Sequence, residues 1–132
     1  RQGLTDVKLV YNTNFTELVF KGSSVLPLWN EFECVSIGAS LDASHERAEL
    51  MRKGTKWAQT VKNREEMLKV CPTVDFYVSS TLSIMNSFHI PDFHKEWVEL
   101  GLLRPMDWNI NILQSPEYYR IDHLVFIIMF IL

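Results

Sequence analysis

The sequence predicts an α/β fold of about four parallel strands with intervening helices, and three observations carry that expectation. Four short apolar runs, at residues 7–11, 34–39, 74–79 and 109–113, each end in a cluster of small polar residues. Helix-like stretches separate them, with apolar residues recurring at helical spacing. No low-complexity linker, and no repeat beyond the strand–helix unit, divides the chain. Alternating strands and helices place the strands parallel with their C-terminal ends along one rim, where such folds bind and transform ligands.

The elements follow in order. Residues 7–11 (VKLVY) are apolar on both faces, as in a strand of a covered parallel sheet. After a polar loop, Ser24 is placed to cap a short helix reaching Phe32, with Pro27 in its first turn. Residues 34–41 (CVSIGASL) form the second strand, whose small residues permit close approach of another group. Residues 46–70 read as helix in two pieces broken at Gly54, the second with a stripe of Trp57, Val61, Arg64 and Leu68. Pro72 stops it. Residues 74–83 (VDFYVSSTLS) are the clearest strand, rich in aromatic and β-branched residues. A loop ending at Pro91 leads to a helix with Phe93, Trp97 and Leu100 on one face and Gly101 at its end, and residues 109–113 (NINIL) are the fourth strand.

Composition narrows the function classes. At 47% apolar and 22% charged residues, the chain belongs with globular rather than disordered proteins. A net charge of −3 with scattered basic residues supplies no general attraction to nucleic acid or an anionic membrane, so neither partner is expected. Two cysteines, Cys34 and Cys71, are too few for a disulfide scaffold and favour a reducing cytoplasm. No apolar core follows the opening residues as in a secretory signal. The last nine residues, 124–132 (LVFIIMFIL), would span only about 14 Å as a helix, short of a roughly 30 Å bilayer core. They are treated as an apolar tail of unclear origin, apart from residues 1–123.

Several residues could carry chemistry. Ser40 and Asp42 lie two apart at a strand end, suited to a sugar hydroxyl pair or an ammonium group; the plain alternative is a turn-closing pair. Arg52 follows, with a solvated helix face as its alternative, and Asn86 has a loop cap as its alternative. No metal site is expected: His45, His89 and His94 lack ligand spacing and no carboxylate completes a set. Neither a Cys–His nucleophile nor a Gly-rich phosphate loop is present.

Taken together, Tyr11-Asn12-Thr13-Asn14, VSIGASLDAS (35–44), RAELMRKGTKWAQTVKNREEML (47–68) and FYVSSTLSIMN (76–86) resemble the radical S-adenosylmethionine (radical SAM) enzymes. The likeness is to the branch with a SPASM or twitch auxiliary domain, in its phage and environmental form. PDFHKEWVELGL (91–102) and NINILQSPEYYRI (109–121) extend it. The resemblance implies a fragment of a partial TIM-type (β/α)6 barrel, strands three to six, cradling S-adenosylmethionine for reductive cleavage to a deoxyadenosyl radical that abstracts hydrogen. It implies Asn14 at the third-strand Thr-Asn-Gly motif, and Ser40 and Asp42 as the fourth-strand Ser-x-Asp near ribose and methionine. Arg52 would meet the methionine carboxylate. Thr81 and Asn86 follow strand five, while Ile112 and Leu113 flank the adenine on strand six.

Departures are explicit. The CxxxCxxC loop that binds the family's [4Fe–4S] cluster is absent, and Cys34 and Cys71 cannot replace it, so the cluster would be bound by a segment not present in this chain. The second-strand Gly-Gly-Glu-Pro motif is also absent. Phe15 and Ala43 stand where the family often has glycine. By itself the chain is expected to be inactive; a peptide is the substrate class that the resemblance suggests. Two other readings stand beside it: a non-catalytic α/β ligand-binding module, and a small doubly wound interaction domain.

Overall fold

The computed structural model describes residues 6–123; the 124–132 tail lies outside the described residues. Strands β1 (Lys8–Thr13), β4 (Cys34–Ala39), β5 (Asp75–Leu82) and β6 (Trp108–Ile112) form one sheet in the order β1-β4-β5-β6, every neighbouring pair parallel. The fold is therefore α/β with a four-stranded parallel sheet. Strand order follows chain order without reversal, unlike the doubly wound arrangement, whose order reverses at a switch point. Among the described residues no helix is long and apolar enough to cross a membrane.

Between β1 and β4 the chain makes a hairpin, β2 (Val19–Phe20) with β3 (Ser23–Ser24), where only a polar loop was expected. Its two-residue turn is Lys21-Gly22, both with positive φ (50° and 79°), the type I′ geometry that matches strand twist. Ser24 thus belongs to a strand. Its Oγ still accepts the Leu26 N–H (3.3 Å), just ahead of the four-residue helix α1 (Leu26–Trp29).

Helices α2 (His45–Met51) and α3 (Trp57–Val70) are separated at Gly54, whose φ of +91° breaks the helical path. The buried face of α3 is Trp57, Thr60, Asn63, Arg64 and Met67, so the core stripe is rotated from the expected one and leaves Val61 and Leu68 half-buried. Thr60 and Asn63 are tolerated inside because each side chain has a hydrogen-bond partner. In α4 (Ile90–Glu99), Phe93 and Trp97 are buried but Leu100, beyond its last turn, is 60% exposed. Gly101 (φ +69°) turns the chain back, and the N–H groups of Leu102 and Leu103 return to the Trp97 carbonyl.

Helices cover one face of the sheet. Tyr11, Ile37 and Phe76 are register partners, and Phe76, Val78 and Trp108 continue their side. On that side Trp29 of α1 meets Tyr11 (centroids 6.0 Å), Arg64 of α3 lies over Phe76 (3.9 Å) and Phe93 of α4 meets Trp108 edge-on (4.7 Å). Trp57 and Trp97 complete the aromatic cluster against Phe93.

The opposite face carries Asn12, Ser36, Gly38, Tyr77, Ser79, Asn109 and Asn111. β1 is accordingly half-buried on the Leu9–Tyr11–Thr13 side and exposed at Lys8, Val10 and Asn12, not covered on both faces; only the central β4 is. At Gly38 the Tyr77 hydroxyl reaches across to donate to Asn12 Oδ1 (3.1 Å). A Cβ at 38 would stand 2.7 Å from the Tyr77 ring and collide with the Asn12 carboxamide. Gly38→Ala should therefore cost about 1–3 kcal/mol by overpacking, read as a shifted urea midpoint at constant slope; an unchanged midpoint would show that Tyr77 and Asn12 yield freely.

Candidate functional site

The C-terminal ends of β1, β4 and β5 bring five of the eight sequence-nominated residues into one hydrogen-bonded group. Asp42, just past β4, is its centre. Its Oδ1 accepts the Thr81 N–H (2.7 Å) at the end of β5. Its Oδ2 accepts from both Nε and Nη2 of Arg52 (2.7 Å each), the C-cap of α2. Arg52 Nη1 extends to Asn14 Oδ1 (3.1 Å) after β1. The fully buried Asn86 donates through Nδ2 to the carbonyls of Asp42 (2.8 Å) and Thr81 (2.9 Å), while its Oδ1 accepts the Ser83 N–H (2.8 Å).

The local sequence explains this convergence. β4 ends at Ala39, where the Ser40 N–H still donates to the Thr13 carbonyl (2.8 Å) and holds the β1 and β4 ends together. Leu41 and Ala43 are buried, pinning the segment on either side of Asp42. Ser80 Oγ donates to the Leu41 carbonyl. Ala43 has no positive φ, so the glycine expected there has no conformational role in this chain. Phe15 differs: its φ is +57°, in the left-handed region that favours glycine, and its ring is fully buried.

Two clefts flank the Asp42–Arg52 pair. One of about 390 Å³ is lined by Asn14, Thr16, Arg52, Lys53, Gly54 and Thr55, with two cations among neutral hydrogen-bonding groups. The other, about 340 Å³, is lined mainly by Leu50, Met51, Met85, Leu113, Pro116 and Tyr119, with Asp42, Thr81 and Ser83 at its polar edge. The pair is thus shared between an anion-suited pocket and an apolar one. Asp42 has only 11% of its side chain exposed and Arg52 32%, so their ion pair is partly shielded from water.

The remaining nominated residues are placed differently. Leu113 lines the apolar cleft, but Ile112 is 57% exposed on the helix-bearing side of β6, outside that lining. Ser40 stands beside the group, contributing its backbone N–H. Lys53, Thr16, Thr55 and the apolar wall other than Leu113 were not expected from the sequence; the signal for Lys53 is its place next to Arg52 and before a glycine. Among the described residues no three His, Cys, Asp or Glu side chains gather to hold a metal. Cys34 is exposed at the start of β4 and Cys71 is buried after α3, both unpaired and away from the rim.

No protein-family model, curated protein or solved structure matches the chain.

Asn86 is saturated by protein partners and Asp42 accepts three bonds from Arg52 and Thr81, so both position the rim, whereas Asn14, Arg52 and Lys53 line the open cleft. Asn86→Ala would strip buried donors and acceptors of their partners and should destabilise the protein by about 3 kcal/mol, measured by chemical denaturation. A loss under about 0.5 kcal/mol would mean that water replaces the amide.

Proposed function

We propose that the chain is part of the catalytic domain of a radical SAM enzyme, the half of a partial (β/α)6 barrel that cradles S-adenosylmethionine. What carries this reading is the Asp42–Arg52 pair: Asp42 and Asn14 hold the guanidinium at the strand C-termini, Arg52 lining an anion-suited cleft while Asp42 edges an apolar one. A ligand with a carboxylate at one end and a purine at the other matches that division. Sequential parallel strands with helices on one face are what a barrel segment requires, and the polar opposite face would be its lumen.

Arg52, with Lys53 beside it, would take the carboxylate; Asn14 would meet the amino-acid end; Leu113, Met51 and Tyr119 would flank the purine. Asp42 would act through Arg52, orienting its guanidinium. S-adenosylmethionine, when bound, would supply the radical chemistry of the reading; these residues would orient it and exclude solvent.

The iron–sulfur cluster is a separate matter. The described residues offer no donor set for it, and no electron-transfer step is assigned to them. The reading places the thiolate loop on a segment other than this chain, expects no activity from these residues alone, and takes a peptide as substrate class and the cytoplasm as compartment. The cleft at Arg52 and Lys53 is lined by residues 14–55 alone, which also suits a second reading, a non-catalytic α/β module that binds a ligand on the same rim.

Isothermal titration of the protein with S-adenosylmethionine tests the cradle. Binding should be measurable, and Arg52→Ala should weaken it about ten-fold or more, the loss of a charge-assisted bond. Unchanged affinity in that variant, or no heat with the parent protein, would overturn the assignment.

A further inference from the structure

A second polar contact lies on the other side of α2 from the Asp42 group. Ser44, the N-cap of α2, is 1% exposed, and its N–H donates to His89 Nε2 (3.1 Å), with its hydroxyl 3.0 Å from the same nitrogen. A backbone N–H can only donate, so Nε2 must present its lone pair and the imidazole must be neutral with its proton on Nδ1. The dyad is no nucleophile–base pair, because the buried Ser44 hydroxyl cannot reach a substrate.

The adjacent residue, His45, has a φ of +53°, rare for a side chain of this kind, and its Nε2 sits 2.8 and 3.0 Å from the Glu96 carboxylate oxygens of α4. Such backbone persists only where its surroundings over-determine it. Helix α2 therefore spans two anchors. Ser44 and His45 are tied to α4 at its start, and Arg52 is tied to Asp42 at its end.

We infer that His89 is a pH-sensitive positioning residue: its protonation removes the acceptor for the buried Ser44 N–H and releases the N-cap of α2 from His89. The groups facing His89 are Arg47 and His45 from α2 and Asp92 and Glu96 from α4, with the Phe93 ring stacked at 6.5 Å. Burial, reinforced by Arg47, holds the imidazole below its ordinary value of 6.5, against the smaller pull of Asp92. The clamp is thus closed above pH 6.5 and its contribution is lost as pH falls through the depressed value. The release is local, since Arg47 keeps α2 on the Met85 carbonyl (2.6 Å) at any such pH.

The opening is independent of the proposed function and is read without any ligand. Amide hydrogen exchange of the protein, corrected for intrinsic rates, should show Ser44 protection falling about ten-fold or more between about pH 7 and pH 5, while core strands such as β4 stay protected. His89→Gln, whose Oε1 accepts at any pH, should remove that dependence, and His89→Ala should leave Ser44 unprotected throughout. His45→Gln should retain it, separating the two histidines. Imidazole ¹⁵N shifts of the unaltered protein should show Nε2 unprotonated at about pH 7 and titrating in step with the exchange. Constant Ser44 protection across the range, or a dependence that survives His89→Gln, would overturn the inference.

Discussion

The structure turns on the Asp42 carboxylate. One oxygen fixes the backbone at the end of β5 and the other fixes the guanidinium at the end of α2, so a single group sets the distance between strand ends and the cation they present. Inside the same turn Asn86 ties the carbonyls of Asp42 and Thr81, which the parallel ladder leaves unpaired at its end. A buried network of this sort is stabilising only when complete, because each orphaned member carries its full desolvation cost. Completeness makes the rim a rigid frame. The neighbours that line the open cleft are Asn14, Arg52 and Lys53.

The opposite pole handles a buried cation in another way. Arg64 is 8% exposed, with no carboxylate bonded to it among the described residues; it donates to the Leu102 carbonyl (2.7 Å) and lies 3.9 Å over the Phe76 ring. Burial lowers its pKa to about 10, still charged at neutral pH. A carbonyl and a π-face are fixed by the fold itself, at the turn after α4 and on β5, so this arginine fastens α3 to the sheet. Arg52, held by a side-chain carboxylate at an open cleft, is instead oriented toward space. The two arginines show how the partner type separates a structural cation from one available to a ligand.

Much of this was legible in the chain. The alternation of apolar runs and helical stretches predicts the parallel sheet because strand and helix periods differ, and the breaks at Gly54 and Gly101 coincide with positive φ that other residues resist. Polar residues after each strand mark the rim for the same reason. The hairpin was missed because Lys21-Gly22 was read for polarity and not for turn type. The buried face of α3 was misjudged because Asn63 and Thr60 look solvated until the Phe15 carbonyl and the Lys56 carbonyl are there to receive them. Coverage of β1 depends on its place at the sheet edge, and the bond from Thr81 to Asp42 spans 39 positions; neither relation is written in local pattern.

Phe15 shows that a left-handed turn can be held by a residue other than glycine. The left-handed conformation at φ +57° costs a non-glycine residue roughly 1–2 kcal/mol. Burying a phenylalanine side chain returns about 1.5–3 kcal/mol, and this ring is fully enclosed, 5.1 Å from Phe76. Its N–H takes Thr13 Oγ1 (3.1 Å) and its carbonyl takes Asn63 Nδ2 (3.0 Å), so neither backbone group is orphaned by the turn. The turn sends the preceding Asn14 toward Arg52 and the following Thr16 into the basic cleft. Backbone direction at residue 15 is what the rim requires; glycine is one way to reach it, and a side chain that drives into the core is another.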